Sequence, residues 1–138
     1  MVNYDLCPRV TMDEIVRQML RASRWLWLNA EEYGMDQDRL YVAGHSAGGH
    51  LTAMLMCALW PVFDRSLPKD LWKGGLAISG VYDLRPLVEV DWLNGDLRLD
   101  TASALRDASL SALAERRAKG LSTHPFYWAA FVAAGDWT

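Results

Sequence analysis

Cysteine is scarce in this chain. Of 138 residues only Cys7 and Cys57 are cysteines, they fall in unlike contexts, and they form no CxxC pair; a disulfide framework or a cysteine metal site is thereby excluded, and both read as reduced thiols. Long apolar runs are absent too. No stretch approaches the roughly eighteen uninterrupted apolar residues of a membrane span, and the N-terminus MVNYDLCPRV has neither the basic start nor the apolar stretch of a signal peptide. The expectation is a cytoplasmic protein with no membrane partner. Lys and Arg number 14 against 17 Asp and Glu, a net charge of −3, and they are scattered without a basic stripe, which argues against a nucleic-acid partner. No metal-ligand cluster, internal repeat or low-complexity segment is visible. What is abundant is apolar: 51% of the residues are hydrophobic, enough for one core, so residues 1–138 read as one α/β domain or part of one.

The informative stretch is Leu40-Tyr41-Val42-Ala43-Gly44-His45-Ser46-Ala47-Gly48-Gly49-His50-Leu51. A strand-like run, Arg39 to Ala43, breaks into G-H-S-A-G and continues as helix formers from Ala47 to about Trp60. That is the context a G-x-S-x-G nucleophile elbow requires: the serine stands on a sharp strand-to-helix turn, and glycines two before and two after it let the backbone turn tightly. Gly44 and Gly48 hold those positions around Ser46, with His45 in the first variable place. The following helix aims its N-terminal N–H groups and positive dipole end at any oxyanion formed there. Ser46 is the candidate nucleophile.

Around this motif strands and helices alternate. Met1 to Tyr4 reads as the end of a strand and Cys7-Pro8 as its exit loop. Thr11 and Glu14 form a capping box opening a helix with apolar residues at Ile15, Met19, Ala22 and Leu26, predicted to reach about Tyr33 and to stop at Gly34. After the elbow helix, a loop around Pro61 to Lys73 leads to a buried strand, Gly74 to Gly80, suited to a central parallel position. Val81 to Pro86 is a strand exit and turn, and Asp91 to Asp100 is polar and irregular. Thr101 to about Lys119 reads as a helix ended by Gly120, its Arg116, Arg117 and Lys119 suiting the negative dipole end. Phe126 to Ala134 reads as a third strand. The alternation implies a parallel sheet covered by helices on both faces.

These segments together resemble a known family. V-N-Y-D-L-C-P, the helix ending in W-L-N-A-E-E-Y-G, D-x-D-R-L-Y-V-A-G-H-S-A-G-G-H-L and L-A-I-S-G-V-Y-D-L-R-P-L are similar to the α/β-hydrolase superfamily. Within it they are closest to the esterase/lipase branch that includes kynurenine formamidase (arylformamidase)-like enzymes. The likeness runs from Val2 to about Leu99. It implies a partial α/β-hydrolase fold whose first strands and last strand and helix lie outside this chain. It also implies a serine hydrolase acting on a small-molecule carboxylic ester or N-formyl amide, with no cofactor. Ser46 would be acylated, and the Ala47 N–H would be one oxyanion-hole donor. The second donor comes, in the family, from an H-G-G-type loop upstream of V-N-Y, and the strand preceding V-N-Y sits between it and the elbow strand. The triad order serine, acid, histidine makes Asp136 the acid, although an alignment that sets Thr138 on the final serine of the relatives' turn puts Trp137 there instead.

The three histidines fit the base role poorly. His45 adjoins the nucleophile on a sharp turn and points away from it, His50 lies one helical turn on and hydrogen-bonds or packs beneath the site, and His124 precedes the third strand, against the triad order. A hydroxyl without a base is a weak nucleophile, so the chain reads as an internal fragment, nearly inert alone, of an enzyme roughly twice as long. The other reading is a degenerate α/β-hydrolase fold serving as a non-catalytic binding or structural module. Asp83, at the carboxyl end of a strand, either orients substrate or caps the turn with Arg85 and Pro86. Of the seven tryptophans, Trp25, Trp27, Trp60 and Trp72 read as packing and Trp92 as a possible aromatic contact for substrate. Cys57 reads as a buried small apolar side chain.

Overall fold

Thr11 starts the first helix as the capping pattern requires. Its extended backbone (φ −82°, ψ 163°) and a 3.2 Å bond from the Glu14 N–H to its Oγ1 cap α1, Met12–Asn29, with Asp13 and Glu14 at the positive end of the dipole. The Glu14 carboxylate pairs with Arg21 instead of returning to Thr11, so one half of the capping box forms. This is a computed structural model, and the residues described are 1–106. The predicted helix reaches Tyr33, whereas the regular helix ends at Asn29. The chain then closes in a Schellman turn: the Met35 N–H donates to Ala30 O (2.8 Å) and the Gly34 N–H to Glu31 O (3.0 Å), with Gly34 at φ +66°. Gly34 therefore closes the turn that follows the helix, through the left-handed conformation that glycine adopts without a Cβ penalty.

Ahead of α1, residues 1–4 belong to no strand among the described residues, where a strand end was expected. Position is held instead by reciprocal bonds between Asp5 and Gln18: the Asp5 N–H donates to Gln18 Oε1 (2.9 Å) and Gln18 Nε2 to Asp5 Oδ2 (3.0 Å).

A short 3-10 turn at Gln37–Arg39 delivers the chain into β1, Tyr41–His45, two residues later than the sequence places it. There follow α2, Ala47–Cys57, the single turn α3, Trp60–Phe63, and β2, Gly74–Ile78. The strands are parallel neighbours, Tyr41 facing Gly74 and His45 facing Ile78, so this is a strand–helix–strand unit with α2 lying against both strands. Gly75 shows how closely: a Cβ there would stand 2.8 Å from Met56 Cγ and 3.2 Å from Thr52 Cγ2. Val42 and Gly44 of β1 share this covered face, while Tyr41, Ala43, His45, Leu76 and Ile78 alternate onto the opposite face and are exposed among the described residues.

The helix predicted to run from Ala47 to Trp60 breaks at Ala58 and Leu59 because Pro61 follows. Proline has no N–H to donate to Cys57 O, and its ring would clash with that carbonyl in a continuing helix; in the short α3 the same proline occupies the first turn, where a missing N–H costs nothing. The break turns Trp60 into the core. Leu55, Trp60, Leu67 and Leu71 are buried together, with Met19, Leu20, Trp27, Val42 and Trp72 packed around them. An apolar cavity of about 390 Å³ opens beside this cluster, lined by Met19, Leu26, Val42, Leu55 and Trp72 among others.

Beyond β2 a 3-10 turn, Arg85–Glu89, leads to α4, Asp91–Leu97, and then α5, Thr101–Arg106. The helix α4 corrects the irregular reading of Asp91 to Asp100. Its polar sequence hides a hub: the Asn94 side chain donates to Val88 O (3.0 Å) and Leu99 O (3.0 Å) and accepts from the Leu99 N–H (2.7 Å), and Arg98 ends the helix in the left-handed region at φ 53°. A second core of Leu84, Leu99 and Ala104 gathers around it. The expected continuation of α5 to Lys119 and the strand Phe126 to Ala134 lie outside the described residues. No helix among the described residues is long and apolar enough to cross a membrane.

His50 joins α2 to the chain leaving β2, its Nδ1 lying 2.8 Å from Val81 O. Burial, partly offset by that bond, holds its pKa below the ordinary 6.5. A histidine with a lowered pKa in the fold takes up a proton more readily when unfolded, so its contribution to stability is whole above pH 6.5 and is lost as the pH falls through 6.5 towards the lowered value. The urea midpoint of the protein should fall across that window, and His50→Asn should remove that part of the slope; an unchanged slope in the variant assigns it to other groups. In the same assay, Trp60→Ala should lower stability by about 3–5 kcal/mol, and a loss below about 1 kcal/mol would show that Trp60 is not a core anchor.

Candidate active site

Ser46 is where strand becomes helix, and its backbone is strained there. At φ 55° and ψ −119° it is one of three non-glycine residues with positive φ among the described residues, a conformation that costs about 1–3 kcal/mol and persists only where its surroundings impose it. The constraints are visible. Its N–H donates to Ile78 O across the sheet (2.9 Å), and its carbonyl accepts the first helical bond from the His50 N–H (3.1 Å). The side chain makes no cap bond to the helix it precedes, and the residue is exposed, so the hydroxyl stands at the surface unspent. Helix α2 has no acidic residue in its first turn. The N–H groups of Ala47 and its neighbours, which have no partner within the helix, and the positive dipole end face that corner uncompensated.

The glycines around Ser46 do different work. A Cβ on Gly44 would stand 2.1 Å from Gly48 O and 2.3 Å from its carbonyl carbon; no side chain fits, because the end of β1 and the start of α2 touch backbone to backbone. A Cβ on Gly48 would meet nothing within 4 Å, so what matters at Gly48 is where its backbone lies. Gly49 is as constrained as Gly44, with Ile78 O at 2.8 Å and Gly80 Cα at 3.0 Å from its missing Cβ. The sequence reading did not single out Gly49 or Gly80, nor Ser79, which carries a second positive φ of 49° at the end of β2. The tandem G-G after the serine and the S-G after β2 were the available signals. Two strained corners, Ser46 and Ser79, thus lie side by side, joined by the Ser46–Ile78 hydrogen bond.

The two described histidines part company. His45 is the last residue of β1 and exposed on the sheet face turned away from α2. His50 is buried, 3% exposed, its Nδ1 committed to Val81 O and its Nε2 enclosed without a hydrogen-bond partner among the described residues. Among the described residues neither is bonded to the Ser46 hydroxyl. His124 and Asp136 lie outside the described residues. Asp83 caps its turn: its Oδ1 accepts from the Arg85 N–H (3.1 Å) and Nε (2.8 Å), and the Arg85 guanidinium holds its carboxyl below the usual carboxylate range. Trp92 is 81% exposed, away from the cores. The apolar cavity beside Trp72 includes none of residues 44–50 in its lining. Among the described residues no group of three or more His, Cys, Asp or Glu is placed to hold a metal.

Comparison with known proteins agrees with this geometry. Residues 1–129 match the family described as the alpha/beta hydrolase fold. A kynurenine formamidase of Danio rerio is 32% identical over 121 residues, covering 88% of this chain and 39% of the relative. Another, from Drosophila melanogaster, is 33% identical over 94 residues, 67% of this chain and 30% of the relative. A probable carboxylic ester hydrolase of Mycobacterium tuberculosis is 37% identical over 91 residues, 62% of this chain and 21% of that protein. The chain thus spans at most about two fifths of the length of these relatives. No solved structure matches it. A strained serine corner between parallel strand and helix, on a chain matched over nearly its whole length by one family, places this protein in the α/β-hydrolase fold family, similar to the kynurenine formamidases and carboxylic ester hydrolases.

Proposed function

We propose that this chain carries the nucleophile of a serine hydrolase that cleaves a carboxylic ester or an N-formyl amide through an acyl-enzyme. The observation that carries the reading is Ser46 itself: a serine at φ 55° between β1 and α2, exposed and free of any capping bond. Its Oγ attacks the substrate carbonyl carbon as its proton passes to a histidine base. The carbonyl oxygen becomes an oxyanion held by the Ala47 N–H and the dipole of α2. Collapse breaks the bond to the leaving alcohol or amine, which takes the proton from the histidinium, and leaves Ser46 acylated. A water deprotonated by the same histidine then releases the acid, which is formate for an N-formyl amide, and restores Ser46.

His45 and His50 do not serve as the base, the first for its direction and the second for its bond to Val81. We take Asp136 as the acid that orients the histidine, since in the family's triad order the acid follows the nucleophile and the histidine follows the acid. Formamides and short-chain esters share a small acyl group and a planar carbonyl, so one elbow suits both, and the relatives' names point to both classes. No observation favours a non-catalytic binding module.

In the full-length protein a fluorophosphonate probe should label wild type and fail to label Ser46→Ala. Hydrolysis of N-formyl-L-kynurenine and of p-nitrophenyl acetate should fall in that variant by about three orders of magnitude or more; equal labelling of both proteins would remove Ser46 from its role. Asp136→Asn should lower kcat by a factor of about 10³–10⁴ with little change in KM, and a variant with wild-type kcat would move the acid to another residue.

A further inference from the structure

Several constraints on the elbow come from the end of β2 and the chain that leaves it. Ser46 is tied to Ile78 O, Gly49 lies against Ile78 O and Gly80, Ser79 turns at φ 49°, and His50 Nδ1 reaches Val81 O at 2.8 Å. These contacts run along the first turn of α2 in step, residue 46 to 78, 49 to 80 and 50 to 81. His50 is the one side chain in this series, since the others are backbone contacts, and the approach of residue 49 to residue 80 is possible because both are glycine. A carbonyl oxygen can only accept, so His50 Nδ1 carries the hydrogen, and in the neutral ring Nε2 carries none. That neutral Nδ1–H tautomer suits a ring 3% exposed, whose Nε2 is enclosed without a partner among the described residues, because a second, unpaired N–H and a positive charge there would both be desolvated.

We propose that His50 is a positioning residue for the Ser46 site: through its Nδ1–H bond to Val81 O it holds the corner Ser79–Val81 against the first turn of α2. The Ile78 carbonyl that fixes the Ser46 backbone then stays in one place. The proposal rests on the reading of Ser46 as nucleophile. Without the bond, Val81 O is left unpaired and the residues after β2 are free to shift away from α2, taking the partner of the Ser46 N–H with them. Displacements of about 1 Å at a nucleophile can cost about a hundredfold in rate, so the loss falls on kcat more than on KM.

The test uses side chains that differ in where they put a donor. Asparagine places its amide nitrogen at the position of histidine Nδ1, glutamine places it at that of Nε2, and leucine places none. In the full-length protein, with p-nitrophenyl acetate as substrate, His50→Leu and His50→Gln should lower kcat tenfold or more with KM within about threefold of wild type, while His50→Asn should recover kcat to within about threefold. Wild-type kcat in the leucine variant overturns the proposal. Equal losses in the asparagine and glutamine variants also overturn it, since ring shape and not the Nδ1 donor would then matter; that pair decides the question if the leucine variant does not fold. A ¹⁵N-edited NMR spectrum of the histidine rings reads the bond without turnover. An Nδ1-protonated His50 is expected, and an Nε2-protonated ring sinks the proposal. Should Ser46→Ala keep full activity while the spectrum shows the Nδ1–H form, the nucleophile assignment has failed and the tie itself stands.

Discussion

The end of β1 and the beginning of α2 occupy almost the same space. A Cβ at Gly44 would fall 2.1 Å from Gly48 O, a distance no side chain tolerates, so the strand can turn into the helix within one residue only if that position is glycine. The one residue left to make the turn is Ser46, and it makes it in a conformation that L-residues rarely adopt. The tightness of the turn and the exposure of the hydroxyl are one fact. A looser connection would let Ser46 relax into an ordinary helix-capping serine, with its oxygen bonded to an N–H of α2 and withdrawn from chemistry. The strain is borne by neighbours that are themselves held: Ile78 O by its place in β2, and β2 by the backbone-close packing of Gly75 on Met56 and Thr52.

That packing links the site to the core. α2 approaches the sheet closely because glycines lie under it, and its far end is anchored by Leu55 in the same cluster as Trp60, Leu67 and Leu71. The break before Pro61 serves this arrangement, since a helix continuing straight past Cys57 would carry Trp60 away from the cluster that buries it. The second core, around Leu84 and Leu99, rests on Asn94, whose amide satisfies three backbone groups at once. An uncharged polar side chain thereby replaces water at the turn after α4 and lets two apolar residues be buried beside it.

Much of this was legible beforehand because it depends on local signals. The start of α1 was readable from Thr11, the left-handed turn beyond its end from Gly34, and the strand–serine–helix corner from the spacing of Gly44, Ser46 and Gly48. Each is a matter of one residue's allowed backbone angles. The readings that differed are those in which a distant partner decides. Residues 1–4 have strand-like composition, but a strand exists only where a neighbouring ladder pairs with it. Asp91 to Asp100 looked irregular because its helix is stabilised by Asn94 and by burial of Leu97 and Leu99, and neither shows as periodicity. Asp83, with two readings open, is resolved by the approach of Arg85.

The sequence by itself determined the family, the parallel strand–helix–strand order and the serine at its corner, because a glycine-spaced turn and alternating apolar segments restrict the backbone whatever surrounds them. Tertiary structure alone decided which glycines are obligatory, that Ser79 forms a second strained corner beside the first, and that His50 turns from Ser46 towards Val81. Those outcomes depend on how near two chain segments come to one another, and Gly49 and Gly80, more than thirty positions apart in sequence, are brought so close by the parallel register of β1 and β2 that a Cβ on Gly49 would stand 3.0 Å from Gly80 Cα.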